Sequence, residues 1–273
     1  MPRILVIGDA MIDRYINATP SRISPEGPAM ALSVQSVRES PGGAVNVLQC
    51  AQAFGAEAVL CSGPETSIKT RVRATHAGRT SDICRFDEDR YSEPESVPDW
   101  PADVILLADY GKGACCERIV AEARRRGAPL LVDPHPSTPT QRYRGADILK
   151  MNALEAGRIS GVAVDSPDSG IAAAKIIRRK LRAGSVVVTL GAAGAVWADG
   201  SDGYEPGIPT TVVDTCGAGD VFAATLAVAL ARGSDLPAAV RCANRMAAES
   251  VQHDGCWQPN KAARFCPYDR LPA

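Results

Sequence analysis

Short apolar runs recur along this chain: ILVI (4–7), VILLA (104–108), LLV (130–132), DIL (147–149) and VVVTL (186–190). Runs this brief and this apolar read as strands covered on both faces, as in a parallel sheet. Helical candidates lie between them at 42–55, 115–127 and 166–184, each ending at a glycine, a common helix stop. Ser166-Pro167 and Asp235-Leu236-Pro237 supply polar caps with prolines near the first turn. The basic runs at 124–126 and 178–180 fall in last turns, where cations suit the helix dipole, and read as solvated helix ends. Strands alternating with helices imply an α/β chain with a mostly parallel, doubly wound sheet between two helical layers.

The expected strands finish in polar residues: Asp9, Asp109, Asp133, Asn152, Thr189 and Asp214. In open α/β sheets the ligand crevice lies beyond the carboxyl ends of the strands, so these six predict a polar concave site. Two stretches, 14–40 and 68–87, are polar, weakly alternating and poor in helix signals. They fit either surface hairpins or a small β lid over the crevice. With no repeat or linker apart from an acidic loop at 89–101, residues 1–273 read as a single domain.

Composition removes several function classes. Thirty basic and 31 acidic residues cancel, leaving no field to attract nucleic acid or an anionic membrane. Aromatic residues make up only 5%, too few for a base-stacking platform. Nine cysteines form no C-x-x-C pair, so reduced thiols in a cytoplasmic protein are expected. The first apolar run is too short for a signal peptide, and no later stretch suits a bilayer crossing.

The most informative segment is VVDTCGAGDVFAATLAVALA (212–231), a short apolar strand leading into an alanine-rich helix through two glycines and a carboxylate. A glycine inside a helix costs about 1 kcal/mol against alanine. At a helix start, however, it lets an anion approach unpaired N–H groups at the positive end of the dipole. Gly217, Ala218 and Gly219 thus suit a phosphoryl group, and Asp220 suits a base accepting the proton of an attacking hydroxyl. Phe222, Leu226, Ala229 and Leu230 give the helix an apolar stripe toward the sheet. No G-x-G-x-x-G follows the first strand and no G-x-x-x-x-G-K-[ST] occurs, leaving dinucleotide and P-loop readings without support.

DTCGAGD (214–220) resembles the signature of the ribokinase-like (PfkB) carbohydrate kinases. GGAVN (42–46) is similar to that family's sugar motif, NALE (152–155) to its N-x-x-E motif and TLGAAG (189–194) to its nucleotide segment. The resemblance implies a three-layer α-β-α sandwich with a small β lid, and ATP-dependent transfer to a sugar hydroxyl with Mg²⁺. It makes Asp220 the catalytic base and the 217–219 backbone the anion hole. Asp13, Gly42, Gly43 and Asn46 would meet sugar hydroxyls, with Asp9 and Asp109 on the same edge. Asn152 and Glu155 would act on magnesium through water, although an N-x-x-E is also an ordinary helix cap. Thr189, Gly191 and Gly194 would line the nucleotide, with Asn244 on its adenine side.

SRISPE (21–26) and DYGKG (109–113) resemble the heptose 7-phosphate kinases within the family. That branch implies transfer to the anomeric hydroxyl of a sugar phosphate, with Lys112 and Arg22 as candidates for its phosphate. It also implies a homodimer through the lid. Some members carry a nucleotidylyltransferase domain, for which 273 residues leave no room. The pattern is broken in places. The helix and strand expected after VLCSG (59–63) are missing, His135 stands for a lysine and Ser40 for an arginine, and the end after Gly255 is unfamiliar. Another sugar or nucleoside as acceptor, or a non-catalytic binding relative, remain the alternatives.

Overall fold

The computed structural model describes residues 1–257 and 259. Strand β1 (Arg3–Gly8) is followed, after Asp9 alone, by β2 (Ala10–Ile23). This long strand turns back as β3 (Met30–Gly43), which runs into helix α1 (Ala44–Ala53). Next come β4 (Glu57–Cys61), β5 (Ser67–His76), β6 (Arg79–Glu88), β7 (Val104–Ala108), α2 (Glu117–Arg125) and β8 (Leu130–Asp133). The remainder is β9 (Ile148–Asn152), α3 (Ala153–Ser160), α4 (Pro167–Leu181), β10 (Ser185–Thr189), β11 (Gly194–Ala198), β12 (Gly203–Pro206), α5 (Ala218–Ala231) and α6 (Leu236–Ser250).

The main sheet has eight strands in the order β12-β11-β10-β9-β8-β7-β1-β4. The six strands from β10 to β4 are parallel, and β11 and β12 extend the edge antiparallel. Burial on both faces explains the unbroken apolar runs: Ile4, Val6 and Leu106 pack toward α1, α5 and α6. Leu5, Ile7 and Leu107 pack toward α2 and α4 on the other face. Among the described residues no helix is long and apolar enough to cross a membrane.

The apolar stripe expected on a helix at 219–232, which the structure places at Ala218–Ala231, proves too narrow. Val221 through Ala229 are all buried, because α5 is wedged between α1, α6 and the sheet. A helix apolar all round belongs in an interior. It is therefore a rigid post for whatever its first turn presents.

The two irregular stretches form one four-stranded sheet, β3-β2-β5-β6, so the lid alternative holds over isolated hairpins. Strand β2 pairs β3 antiparallel and β5 parallel, placing Asp13 opposite both Ser40 and Lys69. The near faces of Met11, Asp13 and Tyr15 are buried, while the far half of the lid is exposed. Strand β4 forms the edge of the main sheet, and residues 62–66 lead from it straight into the lid. The unfamiliar tail, apart from Cys256, Trp257 and Pro259, lies outside the described residues.

Candidate active site

The site forms where the carboxyl ends of the parallel strands meet the first turn of α5 and the base of the lid. Gly217 caps α5 with φ of 75°. A Cβ on it would lie 2.9 Å from Asn46 Nδ2, so only glycine fits this left-handed position. The N–H groups of Gly217, Gly219 and Asp220 meet no acceptor among the described residues. Ala218 differs, since its N–H bonds the Thr215 carbonyl at 3.3 Å. The expected anion hole thus has its open donors on both glycines and on Asp220.

Asp220 sits at the centre of this arrangement. Asn46 Nδ2 donates to its Oδ2 at 2.8 Å, and the Tyr110 hydroxyl donates to its Oδ1 at 2.6 Å. Burial raises the Asp220 carboxyl above the ordinary carboxylate range, while the two donors act in the opposite direction. A base poised in this way takes a proton more readily than a solvated aspartate. Removing the Tyr110 donor raises that carboxyl further. Tyr110→Phe is therefore expected to move the acid limb of kcat/KM to higher pH by roughly one unit. A pH–rate profile of the variant checks this, and an unmoved limb would show that Asp220 does not set it.

Beneath the anion hole lies a charge that the sequence reading did not single out. Lys150, buried in β9, donates to Asp133 Oδ2 at 2.7 Å and to the Gly219 carbonyl at 3.2 Å. Burial raises Asp133, and Lys150 opposes that shift. A Cβ on Gly219 would stand 3.2 Å from Lys150 Nζ, so the second glycine admits the ammonium. The only available signal was a lysine inside an otherwise apolar run.

Asp13 is buried at the lid's root, and its Oδ1 accepts from Arg71 Nη1 at 2.5 Å. Arg71 comes from β5, so a guanidinium reaches this carboxylate although position 40 is serine. Gly42 and Gly43 close β3 beside it, opposite Met11 and Ala10. Arg73 fastens the lid to the main body by pairing with Asp214 (3.0 Å) and Asp254 (2.6 Å), and it also pairs within the lid with Asp82 on β6 (3.1 Å). Next to Asp13, the Sγ atoms of Cys216 and Cys256 lie 3.3 Å apart. Cys216 is held down to about 7, chiefly by the Cys256 thiol and then by the Tyr15 hydroxyl and Arg71, and the same contact pushes Cys256 up.

Four expectations need correction. Asp9 accepts the N–H groups of Tyr110, Lys112 and Ala114 at 2.8–3.1 Å, which commits it to the 110–114 loop rather than to sugar. Asp109 is occupied by Gly111 N–H, the Thr138 hydroxyl and the Tyr143 hydroxyl at 2.6–2.8 Å. Lys112 is paired with Asp89 and lies over the Tyr91 ring, 5.1 Å from its centroid. Arg22 stands nine residues beyond Asp13 on β2, about 30 Å along an extended strand, so it is not brought to the site.

On the other side of the glycines a cleft of about 360 Å³ opens between β10, α5 and α6. Thr189, Gly191, Gly194, Phe222 and Asn244 line it, along with Ile208 and Val212. Its mostly apolar wall suits a base, and its floor at Ala218 and Gly219 adjoins the anion hole. Asn244 is turned away in part, since its Nδ2 donates to the Pro206 carbonyl at 2.8 Å. Asn152 and Glu155 form a capping box at the start of α3, each side chain accepting the other's N–H at 2.9 Å.

A doubly wound sheet, a β lid and a cleft meeting at a helix start define a ribokinase-like phosphotransferase. The fold matches Arabidopsis thaliana ribokinase complexed with ribose and ATP, with TM-score 0.72, 20% identity and 96% of each chain covered. It also matches Thermotoga maritima ribokinase, with TM-score 0.71, 20% identity, and 97% of this chain and 99% of that one covered. The model of the pfkB family of carbohydrate kinases matches residues 100–263. The "Bifunctional protein HldE" of Paramagnetospirillum magneticum is 33% identical over 287 residues, spanning 88% of this chain and 58% of the relative. That of Stutzerimonas stutzeri is 33% identical over 285 residues, spanning 89% and 60%. The chain belongs to the pfkB family of carbohydrate kinases. It spans about 60% of the length of these curated relatives.

Proposed function

We propose that this kinase transfers the γ-phosphoryl group of ATP to the anomeric hydroxyl of a heptose 7-phosphate or a related sugar phosphate. The carrying observation is the position of Asp220, held by Asn46 and Tyr110 beside unpaired helix-start amides. ATP lies in the cleft with its γ-phosphate toward Gly217 and Gly219, and the acceptor lies under the lid against Asp13 and Asn46. Asp220 takes the hydroxyl proton as the new O–P bond forms and the bond from the γ-phosphorus to the β,γ-bridging oxygen breaks to release ADP. The amides meet the charge spreading over the transferred group. Lys150 fixes the Gly219 carbonyl from below, so the amides are oriented before substrate arrives.

Glu155 Oε1 takes no hydrogen bond among the described residues, and Asn152 is exposed. These hard oxygens fit a hydrated Mg²⁺ without dismantling the cap. That ion supplies neutralising charge to the phosphate oxygens of ATP.

The sugar phosphate rests on SRISPE and DYGKG and on likeness to the HldE proteins. With Lys112 already paired and Arg22 remote, Lys69, opposite Asp13 in the β2–β5 register and 5.4 Å from the Tyr110 ring centroid, is a further candidate for that phosphate. ADP release over a panel of sugars and their phosphates is expected to show turnover with heptose 7-phosphate and little with the unphosphorylated sugar. Activity on unphosphorylated sugars alone would remove the acceptor assignment and leave the kinase standing. The exposed apolar side chains Ile23, Met30, Val34, Val37, Ile83 and Phe86 support a homodimer through the lid. Light scattering on the same sample tests it, with a one-chain mass as the refuting result.

A further inference from the structure

Phosphoryl transfer makes no use of the two thiols beside the anion hole. Cys216 Sγ, Cys256 Sγ and a carboxylate oxygen of Asp13 all lie within 4.8 Å of one another. Two edges of this triangle measure 3.3 Å (Sγ to Sγ) and 3.4 Å (Cys256 Sγ to Asp13 Oδ2). Around tetrahedral zinc, bonds of about 2.3 Å to sulfur and about 2.0 Å to oxygen give ligand–ligand edges of roughly 3.5–3.8 Å. The three atoms therefore already outline one face of such a site and need to spread by only a few tenths of an ångström.

The surroundings fit the same chemistry. Arg71 holds Asp13 through Oδ1, leaving Oδ2 toward the thiols. The Tyr15 hydroxyl lies 3.5 Å from Cys216 Sγ, and Asp214 accepts the Cys216 N–H at 2.9 Å. Outer contacts of this kind orient metal ligands. Two thiolates and a carboxylate carry three negative charges, which one divalent cation and the Arg71 guanidinium balance. Sulfur ligands select a soft or borderline ion over magnesium or calcium.

We propose that Asp13, Cys216 and Cys256 bind one zinc-type divalent cation, distinct from the magnesium expected with ATP. Two Sγ–metal bonds and one Oδ2–metal bond form, and the protons of both thiols leave to solvent. Three protein ligands leave a fourth position open, as in sites that exchange a ligand rather than merely brace a fold. Since Asp13 is also the proposed sugar ligand, the cation and the acceptor compete for it. That second consequence rests on the kinase reading, whereas the binding itself does not.

Titration of the reduced, metal-free full chain with Co²⁺ tests the site. The expected result is a near-ultraviolet thiolate-to-cobalt charge-transfer band that saturates at one equivalent and is lost on adding Zn²⁺. The band should vanish in Cys216→Ser and in Cys256→Ser and persist in Cys84→Ser, which alters an exposed thiol. No band in the wild type, or a band surviving either active-site serine, overturns the proposal. Should a serine variant fail to fold, alkylation of the wild type decides. Zn²⁺ is expected to protect Cys216 from iodoacetamide, and equal labelling with and without Zn²⁺ refutes the site. With Zn²⁺ bound, KM for the acceptor should rise and KM for ATP should not. Absence of turnover on every acceptor would count against the kinase reading alone, because the cobalt band is read on the idle protein.

Discussion

Asp220→Asn is expected to bind ATP like the wild type while its turnover falls by at least ~10²-fold, the usual scale for a lost general base. The substitution keeps the shape of the side chain and removes its capacity to accept a proton at neutral pH. Tyr110 can still donate to the remaining carbonyl oxygen, so the 110–114 loop retains its anchor. The nucleotide cleft touches Ala218 and Gly219 but not the 220 carboxylate, so it stays intact. Stability should change little, because relief of a carboxylate raised by burial near Asp133 is offset by setting the new amide N–H₂ against the Asn46 Nδ2 donor. ADP release, nucleotide titration and a melting curve on the same samples separate these effects. Equal turnover in the two proteins would remove Asp220 from the mechanism.

Lys150→Met is expected to lower stability by about 3–5 kcal/mol, or roughly 10 °C in Tm. Methionine fills the space of the aliphatic stem, so the loss comes from leaving Asp133 in the interior with no cation against it. Burial already raises Asp133, and without the ammonium its carboxyl rises further. A carboxyl whose pKa is higher in the folded than in the unfolded chain favours folding most when protonated. The deficit should therefore shrink as pH falls and widen toward neutrality. Adding Asp133→Asn should restore part of the stability at neutral pH. Thermal melts across pH on both variants check this, and a pH-independent deficit would place the loss in packing. The Gly219 carbonyl also loses its support, so turnover in the single variant should fall as well.

Much of the sheet was legible because its strands are buried on both faces, where apolarity needs no partner to be interpreted. ILVI, VILLA and LLV fall within β1, β7 and β8. β11 and β12 were not singled out, since a short antiparallel edge carries a weaker pattern. The lid remained ambiguous for a related reason. Its outer half is solvated on both faces, so alternation fades beyond Tyr15. In the site, Asp220 and its glycines stood out because their spacing carries chemistry by itself. Lys150, Arg71 and Tyr110 did not, since each acts through partners that only the fold brings beside it: Asp133 and Gly219, Asp13, and Asp220. The polar strand ends misled in part: Val212 and Val213 are exposed and belong to no strand, so Asp214 ends none. Asp9 and Asp109 sit where ligands are expected and hold their own loop instead.

Strand β2 begins one residue after β1 and carries Met11, Asp13 and Tyr15 inward on alternate positions. A slip of one residue would turn all three outward together. Beyond Asn17, register shifts between β2 and β3 already occur. The lid is thus divided by its tolerance for insertion and deletion. Its outer half can gain or lose residues and change whom it touches, while its root can be retuned only by exchanging one side chain for another. Divergence in acceptor choice within such a lineage would be written at the root in point substitutions, and divergence in assembly would be written at the tip in length.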